Sequence, residues 1–365
     1  MAPTATVLTP SPVDNARFVE TATPQGVERT EVEDDSTIQT VDELVRRRAI
    51  THHDRVVISY PSSGIDYVDY TMQQLDVFAY RVAMGYSKLA PVRASSTEKP
   101  SVVAILGPSD LDYLVTMLAL IKLGHTVLFL STRISPAAIE SLISVTGASA
   151  LLAAPAHLEV ARATQQKLEG LTVDEIAPRS TYEFPVEVHA DTRLDQALNL
   201  SVEAGNFVYI IHSSGMLDQN HATILARSLT CLGSTGLPKP IYQTHKAALA
   251  NYAVSMEMKA FITLPLYHNH GICNFFRAIH SGKPIYLYNA SLPLTHDYLA
   301  SIMRRHKFEI FYGVPYALKL LAESDEGIDI LRSLKIVMYG GSACPDDLGN
   351  RLVDCGVNLV GHYGA

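Results

Sequence analysis

Cysteine is scarce, with four residues, Cys231, Cys273, Cys344 and Cys355, and no C-x-x-C pair among them. That scatter excludes a disulfide framework and a zinc-ligand set, and predicts buried thiols in a reducing, cytoplasmic compartment. Basic runs are also lacking. A formal net charge of −8 and a pI near 5.9 leave no electrostatic footprint for nucleic acid and favour small-molecule or protein partners. No apolar stretch suits a membrane. The most hydrophobic segment, Tyr113 to Ser131, carries Lys122, Gly124 and His125 in its middle, whereas a span needs about 20 uninterrupted apolar residues. The N-terminus has neither the basic start nor the continuous apolar core of a secretory signal.

What is present is enough for a large core. Of 365 residues 47% are hydrophobic and 18% charged, with a mean hydropathy of +0.12. Residues 1–36 read as a disordered tail. Thr40 and Glu43 fit a capping box that opens a helix through VDELVRRRAI, each side chain serving a free amide of the other. Ser101 to Leu106 is a short apolar run, a strand buried on both faces. Gly107-Pro108-Ser109 turns the chain, Ser109 caps a helix to about Leu123, Gly124 stops it, and TVLFLS is the next strand. Ser135-Pro136 starts another helix and ASALLAA follows as a strand. Such alternation predicts an α/β fold with mostly parallel sheets and helices on both faces. His157 to Leu200 reads as a less regular surface connection, and NFVYIIHSSG as a strand ending in a hydroxyl-rich turn.

The chemistry begins there. If Met216 to Gly233 is set aside, the flanks join as S-S-G-S-T-G-L-P-K. Glycines let backbone amides approach a polyphosphate, while hydroxyls and an ammonium add donors. It is not a Walker A loop, because Lys239 follows Gly236 by three positions instead of directly. The rejoined stretch resembles the phosphate signature of the adenylate-forming superfamily, the AMP-binding acyl-CoA synthetases, luciferases and peptide-synthetase adenylation domains. LPLYHNHGI, YGVPYALKLLAES, VMYGGSACPDDL and VGHYGA resemble its later motifs in their usual order. HSSG with STGLPKPI looks most like fungal synthetase-like adenylation-thiolation-reductase proteins, akin to carboxylic acid and aminoadipate reductases.

The resemblance implies that a carboxylic acid is activated with ATP and Mg²⁺ as an acyl-adenylate, then passed to a carrier-protein or coenzyme A thiol. Phosphopantetheine and NADPH would belong to modules absent here. By the same resemblance Ser214, Gly215, Ser234, Thr235, Gly236 and Lys239 would hold the β- and γ-phosphates, Gly341, Ser342, Tyr363 and Gly364 would lie along adenine, and His268 would orient the carboxylate. His212, His245, His270 and His362 have weaker claims, Cys344 reads as a packed small residue, and no histidine spacing suggests a metal site.

Two departures from the family pattern carry expectations. The 18 residues from Met216 to Gly233 occupy a whole number of codons, and possible codons for Gly215-Met216, Leu229-Thr230 and Leu232-Gly233 contain donor, branch-point and acceptor strings in order. This suggests a retained intron that splits the phosphate turn and disables ATP binding; a genuine surface loop is the other reading. The sequence also stops at Ala365, before the Thr and Glu expected after Tyr363-Gly364-Ala365. Residues 37–365 are therefore expected to be a truncated adenylation domain. The alternatives are a non-catalytic remnant or binding fragment, and a free-standing acyl-CoA ligase.

Overall fold

A computed structural model describes residues 35–187, 190–213 and 237–362. Residues 1–37 and 38–365 separate as two units, and the architecture below is that of the second. Its first half runs α1 (Val41–Thr51), β1 (Val56–Ser63), β2 (Asp66–Thr71), α2 (Met72–Tyr86), β3 (Val102–Leu106), α3 (Leu111–Lys122), β4 (Thr126–Leu130), α4 (Pro136–Thr146), β5 (Ala148–Ala153), α5 (Leu158–Lys167), β6 (Thr172–Glu175), α6 (Leu200–Glu203) and β7 (Phe207–His212). Beyond the undescribed stretch come β8 (Pro240–Thr244), α7 (His245–Tyr252), β9 (Ala260–Ile262), α8 (Asn269–Ser281), β10 (Ile285–Leu287) and α9 (His296–His306). The last elements are β11 (Ile310–Gly313), α10 (Pro315–Leu321), α11 (Asp325–Ser333), β12 (Ile336–Tyr339), α12 (Asp346–Asp354) and β13 (Leu359–Gly361).

The strands form two sheets, ordered β6-β5-β3-β4-β7-β8 and β13-β12-β11-β9-β10-β1-β2. Among the described strands only the β1–β2 and β7–β8 pairs are antiparallel. Side-chain alternation explains the layering. Val103, Ile105, Val127 and Phe129 enter a central core, while their neighbours Ala104, Leu106, Leu128 and Leu130 enter an outer core shared with α4 and α5. In the second sheet Ile262, Ile310 and Tyr312 face that same central core, and Phe261, Phe311 and Val337 face an outer core with α9 to α11. Strands covered on both faces need apolar residues at every position, so these read as continuous hydrophobic runs. The central core lies between the sheets and is filled by α1, α2, α3 and α8.

Several local expectations change. α3 is capped by Asp110, whose carboxylate accepts from Tyr113 N at 2.9 Å, and not by Ser109. The Ser109 hydroxyl instead accepts from Leu266 N at 2.8 Å, tying the first sheet's loop to the second. At α1, Thr40 Oγ1 accepts from Glu43 N, but the Glu43 carboxylate accepts from Gln39 N, one residue further back than a reciprocal box requires. The connection after His157 contains α5 and β6, which the sequence reading passed over. α5 buries only Ala161 and Thr164, and β6 is an edge strand without a fully buried residue, so neither carries a strong apolar period. Among the described cysteines Cys273 is buried, whereas Cys344 and Cys355 are half-buried; Cys231 lies outside the described residues.

Buried charges hold the long connection 191–206 to α2 and the loop that follows it. Arg93 and Glu203, both nearly inaccessible, form a bidentate pair at 2.8 and 3.1 Å. Lys122 Nζ sits 2.7 Å from Asp76 and 3.2 Å from Asp42, and Thr192 donates to Asp76 at 2.5 Å. Pairing and hydrogen bonding are what let such groups leave water. Lys122 thus belongs to a helix inside the fold, as its place in the apolar segment suggested, and no helix among the described residues is long and apolar enough to cross a membrane.

Candidate functional site

Parallel strands deliver their loops to one end, and here both sheets deliver them to the same cavity, of about 1040 Å³. Its wall takes Pro108 and Ser109 after β3, Thr132 and Arg133 after β4, and His212 and Ser213 at the end of β7. The other sheet supplies Thr263 to His270 after β9, Leu287 to Ala290 after β10, Val314 and Tyr316 after β11, Gly341 and Ser342 after β12, and His362 after β13. Crevices at the carboxyl ends of such strands are where open α/β folds bind ligands.

His268 is the N-cap of α8, and its side chain makes no capping bond. Burial pushes its imidazole down to about 4, with the nearby His212 and Arg133 charges acting in the same sense, so it is neutral near pH 7. A neutral imidazole offers one donor and one acceptor. It stands where a helix N-terminus favours an anionic group.

The flanks of the proposed phosphate loop meet. Ser213 N donates to Lys239 O at 3.0 Å and Lys239 N donates to Ser213 Oγ at 2.9 Å, although the residues lie 26 positions apart. β7 and β8 pair in register from His212 opposite Pro240. Lys239 is exposed. Ser214, Gly215, Ser234, Thr235 and Gly236 lie outside the described residues, as do Tyr363 and Gly364.

Gly341, at φ +86°, adopts a left-handed conformation that favours glycine. At Gly340 an added Cβ would come within 2.8 Å of His270 Nδ1 and 3.0 Å of the His362 carbonyl oxygen. The turn after β12 therefore packs its backbone closely against His270 and His362, with Gly341 and Ser342 at the cavity edge. Magnesium fares differently. Among the described residues no carboxylate lines the cavity and no cluster of three metal-ligating side chains exists, so these residues do not form a magnesium site.

Of the histidines with weaker claims, His212, His270 and His362 line the cavity, and His245 does not. His245 opens α7, where Nδ1 accepts from Val41 N at 3.1 Å. The residues after β4 and β10 went unnoticed in the sequence; position directly after a buried strand is the signal that could have found them. Cys344 is half-buried and is not among the lining residues.

His270 makes a test of electrostatics. Burial pushes it down to about 3, with the His362 and Arg277 charges adding to that effect, and its buried Nε2 has no hydrogen-bond partner. Below an ordinary histidine pKa the unfolded chain takes a proton that the folded site refuses, so this group's contribution is fully present above about pH 6.5 and is lost toward pH 3. The stability of the wild type relative to His270→Gln should fall by about 1.4 kcal/mol per pH unit across that window. Urea denaturation at several pH values measures it, and a pH-independent difference would show the imidazole to be ordinary.

Comparisons with known proteins converge on one family. A family profile described as AMP-binding enzyme matches residues 45–365. An adenylate-forming reductase of Aspergillus terreus is 28% identical over 275 residues, covering 73% of this chain and 24% of its own length. A carboxylic acid reductase of Neurospora crassa is 24% identical over 344 residues, covering 87% of this chain and 30% of its own. The chain thus spans less than a third of these curated relatives. Among solved structures, an anthranilate CoA ligase in complex with anthranoyl-AMP superposes with a TM-score of 0.69 at 16% identity, covering 89% of this chain and 59% of that one, a likeness of fold.

Proposed function

The chain belongs to the AMP-binding enzyme family, and from that premise we propose that residues 37–365 are the larger part of an adenylation domain that activates a carboxylic acid as its acyl-adenylate. The observation that carries this reading is the cavity where both sheets end, with neutral His268 on one wall and Ser213, hydrogen-bonded to Lys239, on another. A carboxylate oxygen that bonds to the α-phosphorus of ATP, as the α–β phosphoanhydride breaks and pyrophosphate leaves, supplies its own nucleophile, so the protein has to position reactants and stabilise migrating charge. His268 would donate to or orient the attacking carboxylate. Lys239, with the hydroxyls and amides of Ser214, Gly215, Ser234, Thr235 and Gly236, would hold the β- and γ-phosphates. Gly341, Ser342, Tyr363 and Gly364 would border adenine.

The similarity to adenylate-forming and carboxylic acid reductases supports transfer of the acyl group to a carrier thiol and its reduction with NADPH on further modules. Coenzyme A as acceptor is the competing assignment.

Calorimetric titration with acyl-sulfamoyl adenosines, which mimic the acyl-adenylate without reacting, tests the reading. Saturable binding is expected, with affinity varying with the acyl group and His268→Ala weakening the acyl analogues more than AMP. Equal binding of AMP and every acyl analogue would favour a nucleotide-binding remnant. No binding of either, even after residues 216–233 are excised, would sink the proposal.

A further inference from the structure

We infer that His212 is the positioning residue that sets the entry to the phosphate loop, and that it does so in one tautomer of its neutral ring. The inference rests on the adenylation reading of the cavity for its functional consequence, but its geometry is independent of that reading.

His212 is the last residue of β7 and is 6% exposed. Its Nε2 lies 3.0 Å from Ser131 N, just past the end of β4, and its Nδ1 lies 3.0 Å from Ser213 O. An amide can only donate and a carbonyl can only accept. Nε2 must therefore carry the lone pair and Nδ1 the proton, and both ring nitrogens are committed to backbone. The ring bridges the carboxyl ends of two adjacent parallel strands, beyond the last register pair between them, Leu128 opposite Ile210.

The consequence falls on Ser213. Its carbonyl accepts from His212, its amide donates to Lys239 O, and its hydroxyl accepts from Lys239 N. Every backbone polar group of the residue that enters the loop is thereby oriented, and the next residue is Ser214, the first proposed to face phosphate. A second ring proton would turn Nε2 from acceptor to donor and set it against the Ser131 N–H. The Ser213 carbonyl favours the imidazolium, but His268 at the start of α8 and Arg133 after β4, which share this part of the cavity wall, and Lys239 just before β8 are positive when charged and disfavour it. Burial acts in the same direction, lowering the His212 pKa.

Two measurements on the full chain decide the matter. Ring ¹⁵N shifts at neutral pH, assigned by loss of the signal in His212→Gln, should show a neutral Nδ1–H ring, and the Ser131 amide should exchange slowly and lose protection in that variant. A cationic ring, the opposite tautomer, or an unprotected Ser131 amide would overturn the inference whether or not nucleotide binds. Separately, His212→Phe keeps the ring's bulk but removes both bonds. It should weaken ATP at least about tenfold while leaving affinity for the carboxylic acid within about twofold, and in the wild type the ATP term alone should decline as His212 protonates in acid. ATP affinity unchanged in His212→Phe would overturn the positioning role, as would parallel loss of both ligands, which marks a merely structural residue. Failure to bind either ligand even once residues 216–233 are excised would count against the adenylation reading, and the ring spectrum would still settle the bridge.

Discussion

Gly271→Ala should destabilise the fold by about 3 kcal/mol, the upper end of overpacking costs, and displace His268 in the same stroke. Gly271 lies in the first turn of α8 and is buried. A Cβ there would fall on the Pro265 carbonyl oxygen, 2.7 Å from the Pro265 carbonyl carbon and 3.2 Å from Leu264 O. All three are backbone atoms, so no side chain can swing aside. The loop itself cannot easily retreat, because Leu266 N is held by Ser109. α8 must therefore move, and its N-cap His268 moves with it. The missing Cβ of Gly271 lets the helix press against the loop that carries His268. Gly85→Ala is the control, since its Cβ would meet nothing within 4 Å at an exposed position of α2; it should be neutral or stabilising by about 0.5–1 kcal/mol. Chemical denaturation of both variants, with amide exchange at Leu266, measures the contrast. Equal midpoints would show that the close approach is not real.

How much of this was legible beforehand follows from where each interaction lies in sequence. β3, β4, β5 and β7 were readable because strands covered on both faces have no polar alternation to confuse them. Caps such as Ser135 were readable because cap and helix are neighbours, with Ser135 accepting from Ala138 N. Ser109 shows the limit of local reading. A serine after Gly-Pro looks like a cap, yet Asp110 takes that role and the Ser109 hydroxyl bonds to a residue 157 positions away. The bridge from His212 to Ser131 spans 81 positions and was equally invisible. At the site, resemblance named His268, Gly341 and Ser342, and the structure sets all three on one cavity. Arg133 and the residues after β10 needed the topology, since only strand order shows that these loops share an end.

Excising Met216 to Gly233 should raise ATP affinity by about a hundredfold or more while changing fold stability by only about 1 kcal/mol. The two magnitudes come from different terms. Loop-closure entropy grows as the logarithm of length, so shortening this connection by 18 residues gains about 1 kcal/mol at most. The loop's ends are fixed in either case: Ser213 and Lys239 are already hydrogen-bonded, and β7 and β8 are already in register. Ligand binding responds differently. Excision makes Gly215 and Ser234 neighbours, so that S-S-G-S-T-G can converge on one phosphate group. Each charge-assisted hydrogen bond recovered is worth about 1.5–3 kcal/mol, and two of them exceed a hundredfold in affinity. Calorimetry with ATP on both forms, beside urea denaturation of both, separates the terms. A large gain in affinity without a matching gain in stability would identify the segment as an interruption of the phosphate cradle. Equal affinities would mean that the chain accommodates it as a genuine loop, and that the phosphate-binding roles assigned to Ser234, Thr235 and Gly236 belong to other residues.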